Sequence, residues 1–558
     1  MLKEISIICA TAIVAYCEEV IWEIPLGTLK GLKLATAYQN KTFYSFRSIP
    51  YVKPVTGINK FEPTQPIERW QGVLDATKPT IECVYFCPAR KTYIGDEDCL
   101  QMNIYTPLLD TNAEKAVLLW IHAGGFNYLS GDDGVLGPDF LIEKDIILVS
   151  FNYRLGPMGF LNTGDVNAPG NMGLKDQVMA LKWVRQYIKY FGGDPEKITL
   201  GGMNSGAASV QLHMMSPMSR GMFRGGLEQS GTSLNPWVIQ YKPREVAFQL
   251  GEVLGVKTAD SKELVDKLKT YSAKELMIAA EEVSKSLSFM SGSVHAFLPS
   301  VEIDVGQEIF LPADPWTLIK EGKIADVPLI AGMNLDEEAT MAARYIKDAD
   351  MMNNHFEYFI PVDLNVTDEE RKQYSEMIRN FYFDGQALTT ESLEEFTKLL
   401  TDITFTYGVH FSTKLISQVN SSPVYKYLLT HYSPVGPLKN MYSSETGVAH
   451  GDEIKYVFYS QMFNNLPPAD SAQEKIMHMF TTMWTNFVKT GENNLYPFRN
   501  PTTYKDEYVT IDWLPIGTED NYIEIDEELK IRSGFYQERM HLWAKFCTKV
   551  LGRFTDVF

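Results

Sequence analysis

Long apolar runs are scarce in this chain. Beyond the first twenty residues no stretch of about twenty apolar residues occurs, which excludes an ordinary membrane-spanning helix there. Basic charge is also short: 51 Lys and Arg stand against 70 Asp and Glu, a formal net charge of −19. A field of that sign repels phosphate, so neither nucleic acid nor an anionic membrane is expected as the main partner. Internal repeats, low-complexity tracts and Pro/Gly/Ser linkers are missing from residues 20 to 558, which leaves one continuous fold as the expectation. No cofactor or metal is called for by any motif, and the oligomeric state is left open. What remains is globular: 45% hydrophobic and 22% charged residues over 558 positions, enough for a large core.

Cysteine is sparse too, with six in all. Two of them, Cys9 and Cys17, fall in MLKEISIICATAIVAYCEEV, where a lysine precedes an apolar run from Ile5 to Tyr16 and acidic residues follow. That run has the proportions of a signal peptide and is too short to span a bilayer comfortably. Residues 1–17 are therefore expected to be removed, after Ala15 or Cys17, leaving a domain over 18–558; a buried first strand is the plainer alternative. In an oxidising compartment the remaining cysteines should form one short-loop disulfide, Cys83 to Cys99, with Cys87 as a competing partner. Sequons at Asn40, Asn365 and Asn420 fit a secreted, extracellular glycoprotein.

KAVLLWIHAGGF (115 to 126) and DIILVSFNYRLG (145 to 156) are unbroken apolar strands, as in a mostly parallel sheet covered on both faces. Between them and KITLGG lies GLKDQVMALKWVRQYIKYFGGDP (173 to 195), where Val178, Leu181, Val184 and Ile188 recur at helical spacing and Gly192 closes the run. NSGAASVQLHMMS supplies the next helix; VPLIAGMNLDEE (327 to 338) and YKYLLTHYS (425 to 433) supply later strands. Strand, helix, strand, glycine elbow, helix is the order of an open α/β sheet.

The elbow itself lacks its usual centre. A nucleophile on a strained strand-to-helix turn reads G-x-S-x-G, whereas here the two glycines frame Gly202, Met203, Asn204, Ser205, Gly206. With FRSIPYVKP, GDEDCLQMNIYTP, IHAGGF, FNYRLGPMGFL, APGNMGLKDQ, WVRQYIKYFGGDPEKITL, LEQSGT, GMNLDEE and AHGDEI in order, the chain resembles the type-B carboxylesterases, most of all their secreted insect members. The resemblance implies an α/β-hydrolase fold, a large mostly parallel central sheet flanked by helices, and a small lipophilic ester as ligand. Carried over position by position, it puts Asn204 at the nucleophile, Glu337 at the acid and His450 at the base. Backbone N–H groups of Gly124, Gly125 and Ser205 would form the oxyanion hole.

An asparagine amide is not a nucleophile at neutral pH. Loss of the serine from such a triad costs on the order of a million-fold in turnover, about 8 kcal/mol. Met203 also replaces the family's usual acidic residue, and Glu338 its usual glycine after the acid. The resemblance thus points to a non-catalytic esterase homologue that binds a lipophilic ester. Alternatives are an active ester hydrolase using Ser205, or an adhesion protein of the same fold. Ser205, one residue past the elbow, is rotated about a hundred degrees around the new helix and should point away from His450. Deamidation of the Asn-Ser pair to aspartate is a further route, slow and heterogeneous. Arg47 with Glu97 and Arg154 with Asp176 resemble the family's structural ion pairs. Trp237 resembles its acyl-pocket region, though plain core packing also suits it. The Cys83 to Cys99 loop holds no tryptophan for choline stacking. Val256 and Lys267 stand where a second disulfide would be expected.

Overall fold

Val117, Leu119 and Ile121 face one apolar cluster while Ala116, Leu118 and Trp120 face another, and all six are buried. That alternation, with apolar residues on both sides, is why the run is continuous in sequence: the strand has no wet face. The structure, a computed structural model, describes residues 18–554 apart from 89, 287–294, 365, 437–438, 440–446, 461–464, 491–499, 503–504 and 553. The expected leader, with Cys9 and Cys17, and the sequon at Asn365 lie outside the described residues.

Twelve strands follow one path through the main sheet. They are β1 (Glu18–Ile24), β2 (Gly27–Ala35), β3 (Thr42–Pro50), β4 (Gln101–Thr106), β5 (Lys115–Ile121), β6 (Ile147–Phe151), β7 (Gly193–Met203), β8 (Gly226–Gln229), β9 (Leu329–Asn334), β10 (Val424–Leu429), β11 (Tyr522–Ile525) and β12 (Leu529–Arg532). Their order is sequential except that β6 lies between β4 and β5; Val73–Asp75 adds a thirteenth strand beside β2. From β6 through β11 every pairing is parallel, and the outer strands are antiparallel. The sheet is an α/β-hydrolase sheet, parallel at its centre as expected. In such a sheet the carboxyl ends of neighbouring strands deliver their loops to one side, which is where a site forms.

Helices cover both faces. α1 (Met172–Tyr187), α2 (Ser205–Met215), α3 (Ala273–Ser286) and α4 (Tyr407–Val419) bury side chains in the cluster on the first, α4 packing directly on β9 and β10; α5 (Ala472–Lys489) lies across the second. Val178, Leu181, Val184 and Ile188 are all buried, and Gly192 ends the run at φ 86, a left-handed turn that glycine adopts without strain. No helix among the described residues is long and apolar enough to cross a membrane.

Cys83 and Cys99 form the disulfide and Cys87 is free. Arg154 and Asp176 form a buried two-pronged pair, Nε to Oδ2 at 2.7 Å and Nη2 to Oδ1 at 2.6 Å. The expected Arg47–Glu97 pair does not form. Arg47 meets Asp133 at 3.1 Å, while Glu97 accepts from Lys60 at 3.2 Å and from the backbone of Gly57 and Ala273. Chain folding brings a nearer carboxylate to the guanidinium than the sequence could indicate. Among the sequons, Asn40 is exposed; Asn420 is half-buried, its Nδ2 donating to the Ala325 carbonyl at 2.8 Å.

Candidate functional site

Asn204 joins β7 to α2 at φ 57, ψ −119, outside the regions that residues with a Cβ ordinarily occupy. The turn is locked on both sides. The Asn204 N–H donates to Gln229 O at 2.8 Å, and its carbonyl accepts from Ala208 N at 2.9 Å. The framing glycines are required by close approach: a Cβ on Gly202 would stand 2.3 Å from Gly206 C, and one on Gly206 would stand 2.0 Å from Ile121 O. Spacing and glycine identity in the GMNSG stretch therefore follow from backbone-on-backbone packing.

β5 ends in a second glycine turn. Gly124 adopts φ 113 and Gly125 φ 55, and a Cβ on Gly124 would collide with Tyr128 O at 1.9 Å. The turn aims the Gly125 N–H at the elbow, where it donates to Asn204 Oδ1 at 3.0 Å. The carboxamide oxygen thus sits where a backbone donor is already waiting.

Glu337, just past β9, is buried and held by three donors. Oε1 accepts from Ser230 Oγ at 2.5 Å and from Asn334 N at 2.7 Å, and Oε2 lies 2.6 Å from His450 Nδ1. His450 also donates its backbone N–H to Glu337 O at 3.0 Å. Burial pulls the imidazole pKa down, but the charge and hydrogen bond of Glu337, with the charges of Glu453 and Glu338, carry it above its usual value. A carboxylate on Nδ1 fixes the tautomer and supports the imidazolium, which is what a general base needs.

The sequence motifs did not reveal several neighbours. Ser230, in LEQSGT, orients Glu337. Glu453 accepts from Asn334 Nδ2 at 2.6 Å, and burial pushes its carboxyl up. His295 packs against Gly125 and, desolvated, is held down to about 4, hence neutral at pH 7. Glu338, the replacement for a glycine, has ordinary backbone angles of −94° and 10°, so the loop is unstrained there; burial pushes its carboxyl up to about 7.

One wall is a π-helical turn, Asp402–Thr406. The Thr404 carbonyl accepts from Asn235 Nδ2 at 2.6 Å and Trp237 Nε1 at 2.8 Å. Widened turns of this kind recur at functional sites, and this one sets the Phe405 ring 4.6 Å from that of His450. Trp237 is buried and borders the same cavity as Phe405.

These residues border a cavity of about 490 Å³. Gly125, Asn204, Glu337 and His450 line it together with Glu338 and His295; Trp237, Met277, Phe359 and Phe405 are among its apolar walls. Gly124 and Ser205 are not among the described residues that line it. Ser205 is fully buried at the start of α2, beside Tyr153. Met203 is buried in the apolar cluster on the α5 face, with Leu227, Ile330 and Tyr427.

The Carboxylesterase family model matches residues 18–543. Venom carboxylesterase-6 of Apis mellifera is 32% identical over 504 residues, 87% of this chain and 89% of its own length. Juvenile hormone esterase of Tribolium castaneum is 33% identical over 477 residues, 81% of this chain and 80% of its own. The crystal structure of juvenile hormone esterase from Manduca sexta, with OTFP covalently attached, superposes with a TM-score of 0.81 at 26% identity, covering 96% of this chain and 99% of that one.

Proposed function

Since the chain belongs to the carboxylesterase family, we propose that it is a secreted member in which Asn204 stands at the nucleophile's place, so that the cavity binds a lipophilic ester without hydrolysing it. The observation that carries this reading is the Asn204 side chain, whose oxygen accepts from Gly125 N–H inside the same cavity as His450. Glu337 and His450 form the acid and base of the inherited triad, and Gly124, Gly125 and Ser205 its backbone donors. The serine alternative is not supported: Ser205 is buried and does not border the cavity.

The ligand class follows from the walls. Aromatic, Met, Leu and Ile side chains dominate a cavity with a few polar groups at its base, which suits an ester with an extended apolar body. While the carboxamide holds the Gly125 donor, an ester carbonyl has to bind elsewhere in the cavity. The name juvenile hormone esterase among the relatives fits such a lipophilic ester. Residues 1–17 act as the signal peptide and 18–558 as the domain; Asn40 is the most accessible described sequon. Exposure of purified protein to a fluorophosphonate probe and an aryl ester tests the reading. No label and no turnover are expected, with the ester analogue still bound; stoichiometric labelling with turnover overturns it.

A further inference from the structure

We propose that Asn204 is a self-modification site: the elbow drives its side chain to cyclise onto the backbone nitrogen of Ser205, releasing ammonia, and water then leaves an aspartyl or isoaspartyl residue in its place.

The backbone angle carries the argument. Seen down the Cα–C bond, the substituents of an L-residue are spread about 120° apart, with Cβ that far counter-clockwise from N. A ψ near −120° therefore eclipses Cβ with the next residue's nitrogen, the arrangement a five-membered ring of Cα, Cβ, Cγ, N and C demands. Asn204 is held at ψ −119. Reaching that angle costs an ordinary chain conformational energy; here the fold has already imposed it, through the Gln229 and Ala208 hydrogen bonds and the close approach of Gly231, whose Cβ would meet Asn204 O at 2.2 Å.

Three further features of the site favour the chemistry. Gly125 N–H donates to Oδ1, so the carboxamide carbon is polarised by the donor that would stabilise negative charge as a tetrahedral intermediate forms. His450 lines the same cavity with Nδ1 committed to Glu337, leaving Nε2 to take a proton. Ser205 is the first residue of α2, where a backbone N–H has no partner within the helix.

Atoms balance as follows. Ser205 N gives up its proton to solvent and bonds to Asn204 Cγ; negative charge gathers on Oδ1; the Cγ–Nδ2 bond breaks, and Nδ2 leaves as ammonia with a solvent proton passed to it through His450 in the shared cavity. Water then opens the imide at either carbonyl and yields a carboxylate facing His450.

The chain contains its own comparison. Asn420 and Ser421 are the same pair, but Asn420 sits at ψ 151 with Nδ2 donating to Ala325 O. Its Cβ is far from eclipsed with the following nitrogen.

The test is mass spectrometry of the folded protein incubated at neutral pH, without deglycosidase, reading the tryptic peptide 198–220. The peptide is expected first lighter by ammonia, then about one mass unit heavier than at the start, with heavy oxygen incorporated from labelled water. Conversion in the fold should run at least about tenfold faster than in the free synthetic peptide 198–220, a barrier difference of about 1.4 kcal/mol, and faster than at Asn420. Asn204→Gln, which would require a six-membered ring, should stay unchanged. A carboxamide at residue 204 that converts no faster in the fold than in the peptide overturns the proposal. The readout is independent of ester binding and turnover, so either result leaves the non-catalytic reading separately testable.

Discussion

Asn204 carries an oxygen, but that oxygen accepts a hydrogen bond where a nucleophile would surrender a proton. The surrounding residues are set for the opposite role: three donors on Glu337, one carboxylate oxygen on His450, one N–H aimed at the elbow. Glu338 adds a pH-sensitive contribution. Its folded pKa, about 7, lies above the ordinary 4.5. A raised value means stability that is full below 4.5 and is lost as pH rises through 7. His450, also raised, acts in the same direction above 6.5. Glu338→Gln is therefore expected to flatten the fall in melting temperature between pH 5 and 8, by at most about 3 kcal/mol at the alkaline end. Scanning fluorimetry of both proteins across that range checks it, and parallel curves would refute it.

At the scale of elements, the elbow depends on glycine because Gly206 lies against β5. Gly206→Ala puts a methyl group 2.0 Å from Ile121 O, and a loss of more than about 3 kcal/mol is expected, read as lost soluble yield or a large drop in denaturant midpoint. The π-helical turn depends on Asn235. Asn235→Ala strips partners from the carbonyls of Thr404 and Phe405 and should cost about 1–3 kcal/mol while loosening the Phe405 wall and weakening binding of an ester analogue. Unchanged stability and affinity would contradict that role.

Much at this scale was legible in the sequence: apolar runs give strands with two dry faces, and spacing of Val178, Leu181, Val184 and Ile188 gives α1, because both patterns are local. The π-helical turn was not. Nothing in DITFT marks it, since the side chains that hold its carbonyls lie some 170 residues away. His295 and the true partner of Arg47 were hidden for the same reason: contact across the fold leaves no trace in local composition.

At the scale of the whole molecule, the central strands of the main sheet bring residues more than three hundred positions apart, from Gly125 to His450, to one cavity. Chain order of elbow, acid and histidine was readable in sequence, but the contact of Gly125 with Asn204 required the fold. Expression of the full chain in a secreting cell tests the proposed leader: the mature N-terminus is expected just after Ala15 or Cys17, and protein retaining Met1 would contradict it. The Cys83–Cys99 link closes a loop with a sequence separation of 16. Its replacement by two serines should cost about 3 kcal/mol, measured by denaturant unfolding.

The central claim is that the attacking oxygen alone is missing from an otherwise complete site. Aryl ester turnover by Asn204→Ser, with and without Met203→Glu, measures this directly. If acid, base and backbone donors are in working order, the double variant should hydrolyse the ester at least about a thousandfold faster than the parent, approaching the million-fold that such a serine contributes, and should take up one fluorophosphonate. A correctly folded double variant as inert as the parent, or a parent already as active as the variant, would contradict it.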